Sequence, residues 1–517
     1  MQLSGAPLGS PFNLNEILRA GLESQPDQDA LVSLQYRWTW RELDLASGRL
    51  AANYMALGLR AGDRVASLVP NRGALFVHYI ACIKAGFVIV PLNYRFGPSS
   101  IDYVLSMTGA SLMLAHGERR QELERCAEIR NLRLGLVGIE DCPSTGPHFE
   151  ELVRGDGPIQ AFSAPASEAP AAIFATSGST GKPKGVTHSY GSLGWMFATI
   201  AAGFELTARD MLLPGSSCSH IGGFSFAFAA LGVGARVAVA QRYTAGEVLS
   251  LFRLEKPTVL CMIPAALFAV VRHPQATQED FASLRLCRSG SDKVPAELEK
   301  EFTQVTGHDI DEGYGCSESG LVTLNPPSGK IKLGSVGKAL PGVKLSIRDD
   351  GGEPLPSDTD GNLWIKSSTL MTGYWGNDQA SQEAFRDGWF DSGDRMAADQ
   401  EGYLWFRGRK KQIIVHDGSN IYPQEVEEAL HNHPAVEIAG VIGIHDLVHG
   451  ENVRAYVVLK PEAALASGDE LIEFVRDQIG YKAPEEIEFI AEMPLNPTGK
   501  VDRVSLKEMA RERHRHE

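Results

Sequence analysis

Residues 176–185 read T-S-G-S-T-G-K-P-K-G, with four hydroxyls, three glycines and two lysines directly after an apolar, strand-like run at 171–175. Glycines let backbone N–H groups converge on a ligand, hydroxyls add donors and lysines add charge. The chemistry is that of a polyphosphate cradle leaving the end of a sheet strand. The order is not that of the common nucleotide loop, which ends G-K-[S/T], because Lys182 is followed by Pro183 and then Lys184. The plain alternative is a surface linker of Gly, Ser and Thr. A proline between two lysines after a buried strand argues against it.

Further clusters could serve the same ligand. Asp311-Glu-Gly-Tyr-Gly-Cys-Ser-Glu318 sets Tyr314 between Gly313 and Gly315, leaving open backbone on both sides of a ring able to stack on a base. Ser317 can donate to a phosphate oxygen. Glu318 can hold a hard cation, since magnesium carried with phosphates uses one or two carboxylates and keeps several waters. In Gly388-Trp-Phe-Asp-Ser-Gly-Asp394-Arg, Asp394 is either a carboxylate accepting from two ribose hydroxyls or a turn residue, and only the first reading uses the downstream Gly408-Arg409. Pro494-Leu-Asn-Pro-Thr-Gly-Lys500 is a defined loop carrying one lysine, which alone would be solvated surface. Ser217-Cys-Ser-His220 brings Cys218 and His220 close enough in sequence for a nucleophile and base, although a structural histidine is the simpler reading. Phe224, Phe226 and Phe228 line either an apolar pocket or plain core, and Arg288 serves either an acidic group on a substrate or a surface ion pair. His445 and His449 are spaced like ligands on one helical turn, but no Glu follows His445 and a surface loop fits better.

In this order along the chain, the clusters resemble those of the adenylate-forming superfamily: acyl-CoA synthetases, firefly-type luciferases and peptide-synthetase adenylation domains. The resemblance is closest to the AMP-forming acyl-CoA synthetases and covers nearly all 517 residues. It implies an α/β fold, with a large N-terminal domain of several α/β-layered subdomains at 1–409. A small mobile α+β C-terminal domain would follow at 410–517, hinged at about Lys411. It implies that Thr176, Ser177, Gly178, Ser179, Thr180, Gly181 and Lys184 cradle the ATP phosphates. Ser291, Gly313 and Tyr314 would meet the adenine, Ser317 a phosphate and Glu318 Mg2+. Asp394 would hold the ribose, with Arg409 on the ribose or α-phosphate side. His220 would gate the acid pocket beside Ser289, Gly290 and Gly315, Gly418 would approach a pantetheine channel, and Lys500 would be the catalytic lysine. Two departures are visible: the adenine loop reads S-G-S-D where G-G-A-P is usual, and Ser317 stands in place of Thr with its hydroxyl kept.

The implied activity is ATP-dependent acid:CoA ligation. A carboxylic acid, fatty or aromatic, would be activated as acyl-adenylate with release of pyrophosphate, then passed to the thiol of coenzyme A, with ATP, Mg2+ and CoA as cofactor and co-substrates. Arg288 leaves room for a second polar group. One alternative is an acyl-AMP ligase loading a carrier-protein phosphopantetheine. Another is a nucleotide-binding regulator without catalysis, against which Lys500, Glu318, Asp394 and Arg409 speak. An oxygen-dependent luciferase would share the fold alone.

The elements that must position these residues are legible as alternating strand and helix. Thr39-Trp-Arg-Glu42 is a capping box, behind which Leu43, Ala46, Leu50, Tyr54 and Leu57 form one apolar face ended by Gly58 and Gly62. Strands are predicted at 64–69, 88–90, 112–115, 237–240, 259–262 and 284–288, with helices at 74–85, 101–107 and 264–272 between them. That alternation predicts parallel sheets with covered faces. Beyond 410, helices near 425–430 and 470–479 flank strands at 438–444 and 454–459. The chain is 43% hydrophobic and 22% charged, an ordinary globular composition, and its net charge of −15 argues against a nucleic-acid binder. Anionic substrates therefore need local positive sites. No apolar run reaches membrane-spanning length and the first residues lack signal-peptide character, so a cytoplasmic enzyme is expected, with a homodimer compatible. Seven scattered cysteines, never in C-x-x-C pairs, predict reduced, mostly buried thiols.

Overall fold

The computed structural model describes residues 2–142, 146–154, 162–176, 183–290, 294–416, 419–446, 450–461, 466–497 and 499–513. Two compact units result: Gln2–Leu345 with Ile365–Phe390, and Ser346–Trp364 with Asp391–Glu517.

In the larger unit, helix Trp40–Ala56 starts at the predicted capping box, with Glu42 N–H donating to Thr39 Oγ1 and Thr39 N–H to the Glu42 carboxylate. Among the described residues, two sheets form its frame. The first runs in the order Gly373–Tyr374, Lys184–Ser189, Pro170–Thr176, Val88–Pro91, Arg64–Leu68, Leu112–His116, Leu136–Ile139. The second runs from Lys338–Ala339 through Gly320–Leu324, Asp311–Cys316, Leu286–Ser289, Val259–Met262, Met211–Gly215 and Arg236–Ala238 to Asp29–Val32 and Arg37–Thr39.

The expectation of parallel sheets needs correction at the edges. The centres are parallel, but Pro170–Thr176 and Lys184–Ser189 are antiparallel, as are Asp311–Cys316 and Gly320–Leu324. The reason is the length of the links. A crossover to a parallel neighbour needs a dozen or more residues, whereas seven residues separate Thr176 from Lys184 and three separate Cys316 from Gly320. Strands Pro170–Thr176 and Lys184–Ser189 thus form a β-hairpin, and residues 177–182 between them lie outside the described residues.

Helices Gly73–Ala85, Tyr190–Gly203 and Ile221–Gly232 bring an aromatic cluster together with strand Pro170–Thr176. Phe224 lies 4.6 Å from Phe228, 5.3 Å from Tyr79 and 5.4 Å from Phe174, while Phe228 lies 5.7 Å from Phe197. Each such pair adds ~0.5–1.5 kcal/mol beyond simple burial, so this cluster joins the two sheets firmly. All seven cysteines are free, six of them buried.

The smaller unit contains a five-stranded sheet among its described residues. Gly450–Leu459 pairs with Val436–Asp446, with Glu486–Phe489 and, at Gly450, with Ile414–His416, which in turn pairs with Ser419–Ile421. Helices Pro423–His431 and Gly468–Ile479 cover one face through Val426, Leu430, Leu471 and Val475. The exposed His445 sits on strand Val436–Asp446, not on a helical turn, and His449 lies outside the described residues. No helix among the described residues is long and apolar enough to cross a membrane.

One buried group makes the fold sensitive to pH. Asp311 is 5% exposed, and burial, with Asp309 nearby, pushes its carboxyl up to about 7. In the unfolded chain it would ionise near ~4, so between those values the folded state holds the extra proton. The stability this confers is complete below ~4 and is lost as pH rises through about 7. Asp311→Asn should therefore gain on the wild type as pH rises, the difference in unfolding free energy widening by on the order of 2 kcal/mol from pH 5 to pH 8. Denaturant titrations at the two pH values test this, and an equal difference at both would contradict it.

Candidate functional site

The hairpin of Pro170–Thr176 and Lys184–Ser189 is held against the loop that carries Glu318. Strand Gly373–Tyr374 pairs with Lys184–Ser189, Tyr374 opposite Val186 and Gly373 opposite Thr187. The two-residue period of a strand puts Lys184, Val186 and His188 on one face, and Tyr374 joins that face. Three hydrogen bonds then reach three successive carbonyls. His188 Nε2 donates to Ser317 O at 2.8 Å, Met371 N–H to Glu318 O at 2.7 Å and Thr369 Oγ1 to Ser319 O at 2.8 Å. Burial pushes His188 down to about 4, so its ring is neutral and its single proton sits on the nitrogen facing Ser317. The Tyr374 hydroxyl donates to Glu318 Oε1 at 2.9 Å, and Lys184 Nζ lies 4.4 Å from the centre of the Tyr374 ring. Burial and the Glu318 charge raise the Tyr374 phenol far above its usual range, so it remains a donor. Thr176 closes the hairpin by donating to Lys184 O at 3.4 Å.

Gly315 is fixed by close approach, since a Cβ there would stand 2.2 Å from Gly320 O, next to the irregularity between Tyr314 and Gly315. Gly290, at φ +154°, has equal need of its hydrogen: a Cβ would stand 2.4 Å from Gly313 O. The strand end Arg288–Gly290 and the strand Gly313–Gly315 are therefore in backbone contact. The Ser289 hydroxyl is fully buried and donates to Met262 O at 2.9 Å.

His220 caps helix Ile221–Gly232, half-buried, with its Nε2 hydrogen-bonded to Asn93 Nδ2 at 3.1 Å. Cys218 is no nucleophile: burial pushes its thiol up to about 12. Asn71 fixes this loop, donating to Ser216 O at 3.1 Å and accepting from Cys218 N–H at 2.9 Å. Of the three phenylalanines, Phe224 and Phe228 belong to the aromatic core. Phe226 lies on another side of the helix, 5.3 Å from Phe204, with the Arg288 guanidinium 5.2 Å from its ring.

In the smaller unit, Asp394 and Arg409 are direct partners in an antiparallel pair of strands. Asp394 is 1% exposed and its Oδ1 lies 3.0 Å from Arg409 Nε. The turn chemistry of D-S-G-D belongs to Asp391, whose Oδ1 accepts from Gly393 N–H at 3.0 Å. Lys411 lies in the short turn Lys410–Gln412. Lys500 is half-buried at the end of a turn in which its N–H donates to Asn496 Oδ1 at 3.1 Å and its carbonyl accepts from Asn496 N–H at 2.8 Å.

Ser177, Gly178, Ser179, Thr180, Gly181, Ser291 and Gly418 lie outside the described residues. Among the described residues the structure brings together Thr176, Lys184, Ser317 and Glu318 in one group and Gly290, Gly313 and Gly315 in another, with Asp394 and Arg409 paired in the smaller unit. Sequence reasoning missed His188, Tyr374 and Thr369. Tyr374 had a signal, because G-Y-W-G at 373–376 is a glycine-flanked aromatic like G-Y-G at 313–315. His188 had none, since V-T-H-S reads as ordinary strand.

A model of AMP-binding enzymes matches residues 18–375, and a model of the AMP-binding enzyme C-terminal domain matches residues 425–500. The chain is 32% identical to a feruloyl-CoA synthase from Amycolatopsis sp, over 90% of this chain and 92% of that one. It is 30% identical to an indoleacetate–CoA ligase from Aromatoleum aromaticum, over 95% and 96% of the two chains. Among solved structures, ATP-bound MatB from Rhodopseudomonas palustris superposes with a TM-score of 0.89 at 28% identity, covering 96% of this chain and 99% of that one. With more than half its length matched by the family's principal model and its C-terminal part by the model of the C-terminal domain, the chain belongs to the AMP-binding enzyme family.

Proposed function

We propose that the protein is an AMP-forming acid:CoA ligase. The observation that carries the reading is the Lys184–Tyr374–Glu318 group: a cation, a phenol donor and a carboxylate held together at the base of a hairpin loop rich in hydroxyls and glycine. The relatives named as CoA ligases support it.

In the first half-reaction a substrate carboxylate attacks the α-phosphorus of ATP and pyrophosphate leaves. Two anions must approach, and negative charge gathers on the nonbridging oxygens, so preorganised cations and donors do most of the work. Thr176 and the loop residues Ser177–Gly181 with Lys184 hold the phosphates, Ser317 adds a hydroxyl, and Tyr314 stacks on the adenine beside Gly313 and Ser291. Asp394 accepts from the ribose hydroxyls with Arg409 beside it. Glu318 suits Mg2+: among the described residues, one carboxylate oxygen is oriented by Tyr374 and the other has no hydrogen-bond partner, as a hard cation prefers. When bound, Mg2+ would neutralise phosphate charge. Lys500 brings a further cation to the α-phosphate. In the second half-reaction the CoA thiol attacks the acyl carbonyl and AMP leaves. The C-terminal residues turn about Lys411 between the two, withdrawing Lys500 and presenting the Gly418 region.

The acid enters past His220, beside Ser289, Gly290 and Gly315. Phe224, Phe226 and Phe228 are all buried, so they do not by themselves favour a purely fatty or aromatic acid.

Lys500→Ala should lower acyl-adenylate formation by ~100- to 1000-fold and spare thioester formation from supplied acyl-adenylate. Single-turnover assays of each half-reaction test this, and equal loss of both would contradict the division of roles. Tyr374→Phe removes the donor that orients Glu318, so the Mg2+ concentration for half-maximal rate should rise roughly 3- to 10-fold. A lower maximal rate with unchanged Mg2+ dependence would contradict that role.

A further inference from the structure

We infer that Arg288 receives a second anionic group on the acid, so that the preferred substrates are dicarboxylic acids; the inference rests on the ligase reading above. Strand Leu286–Ser289 alternates its faces. Cys287 joins the core with Phe252 and Phe302, so Arg288 points the other way, toward Phe226 of helix Ile221–Gly232. It is 6% exposed. Nη2 donates to Gly313 O at 3.1 Å, while Nε is buried with no hydrogen-bond partner, and no carboxylate among the described residues forms an ion pair with it. Glu312 acts on it electrostatically without pairing, and Cys261 and Cys287 are thiols whose burial keeps them neutral.

A buried guanidinium is almost always paired, because water has been removed without replacement. Among the described residues Arg288 keeps one backbone acceptor, Gly313 O. Nε–H has no acceptor among the described residues, and a carboxylate accepts from a guanidinium bidentately. The position fits a substrate group. The guanidinium lies against Gly290, where a Cβ would stand 2.7 Å from Nη2. Phe226, under the guanidinium, also lies below Gly222, two residues after His220, where a Cβ would stand 3.6 Å from the Phe226 ring. Arg288 thus lies between the Phe226 ring and the Gly290 backbone, and a diacid's distal carboxylate would supply the missing partner. The competing role is structural, an anchor for Gly313 alone.

The test compares kcat/KM for pyrophosphate release from ATP with acids matched in size and differing in one terminus: succinic against butyric, and terephthalic against para-toluic. The wild type should favour the diacid of at least one pair by ~100-fold or more, and Arg288→Met should collapse that ratio, with partial recovery in Arg288→Lys. A wild-type preference for the monoacids overturns the inference and leaves the ligase reading standing, as does a diacid ratio unchanged in Arg288→Met. If Arg288→Met fails to fold, the wild-type ratios decide. Release with no acid at all sinks the ligase reading and this inference with it.

Discussion

The larger unit depends on the three hydrogen bonds that His188, Met371 and Thr369 send to the carbonyls of Ser317, Glu318 and Ser319. They tie a loop of one sheet to the edge of the other, and without them Glu318 would ride on a segment free to move away from Lys184. A neutral His188 is required, because only a ring with one proton on Nε2 can donate to Ser317 while Nδ1 accepts from Ser192, 3.3 Å away. Burial secures that state by removing the solvent that would stabilise imidazolium.

The second constraint is charge. A chain of net charge −15 that handles ATP and a carboxylate has to place cations where anions meet and nowhere general. Lys184 stands over Tyr374, Arg409 beside Asp394, and Arg288 buried beneath Gly290. Gly290 and Gly315 are fixed by close approach, which sets backbone against backbone beside Gly313 and Gly320.

Much of this was legible in the sequence, for reasons that can be named. The Thr39–Glu42 capping box and the apolar runs of the sheet strands are local signals, and local physics decided them. Antiparallel pairing at the sheet edges depends on which strand a short link returns to, which residue type does not record. The phenylalanines at 224, 226 and 228 show the limit most plainly. Spaced by two they look equivalent, but on a helix the first and third share a face and the second lies about 200° away, so all three are buried while Phe226 alone packs on Phe204 and Arg288. Arg288 itself was readable as a substrate contact or a surface pair; its burial rules out the surface pair, and burial is a tertiary property.

The most direct test of adenylate chemistry is acid-dependent exchange of labelled pyrophosphate into ATP by the wild-type protein without CoA, followed by CoA addition. Exchange that needs an acid and Mg2+, converted by CoA into thioester and AMP in equal amounts, is the predicted result. Exchange absent with every acid, or ATP cleaved to ADP and phosphate instead, would contradict the account.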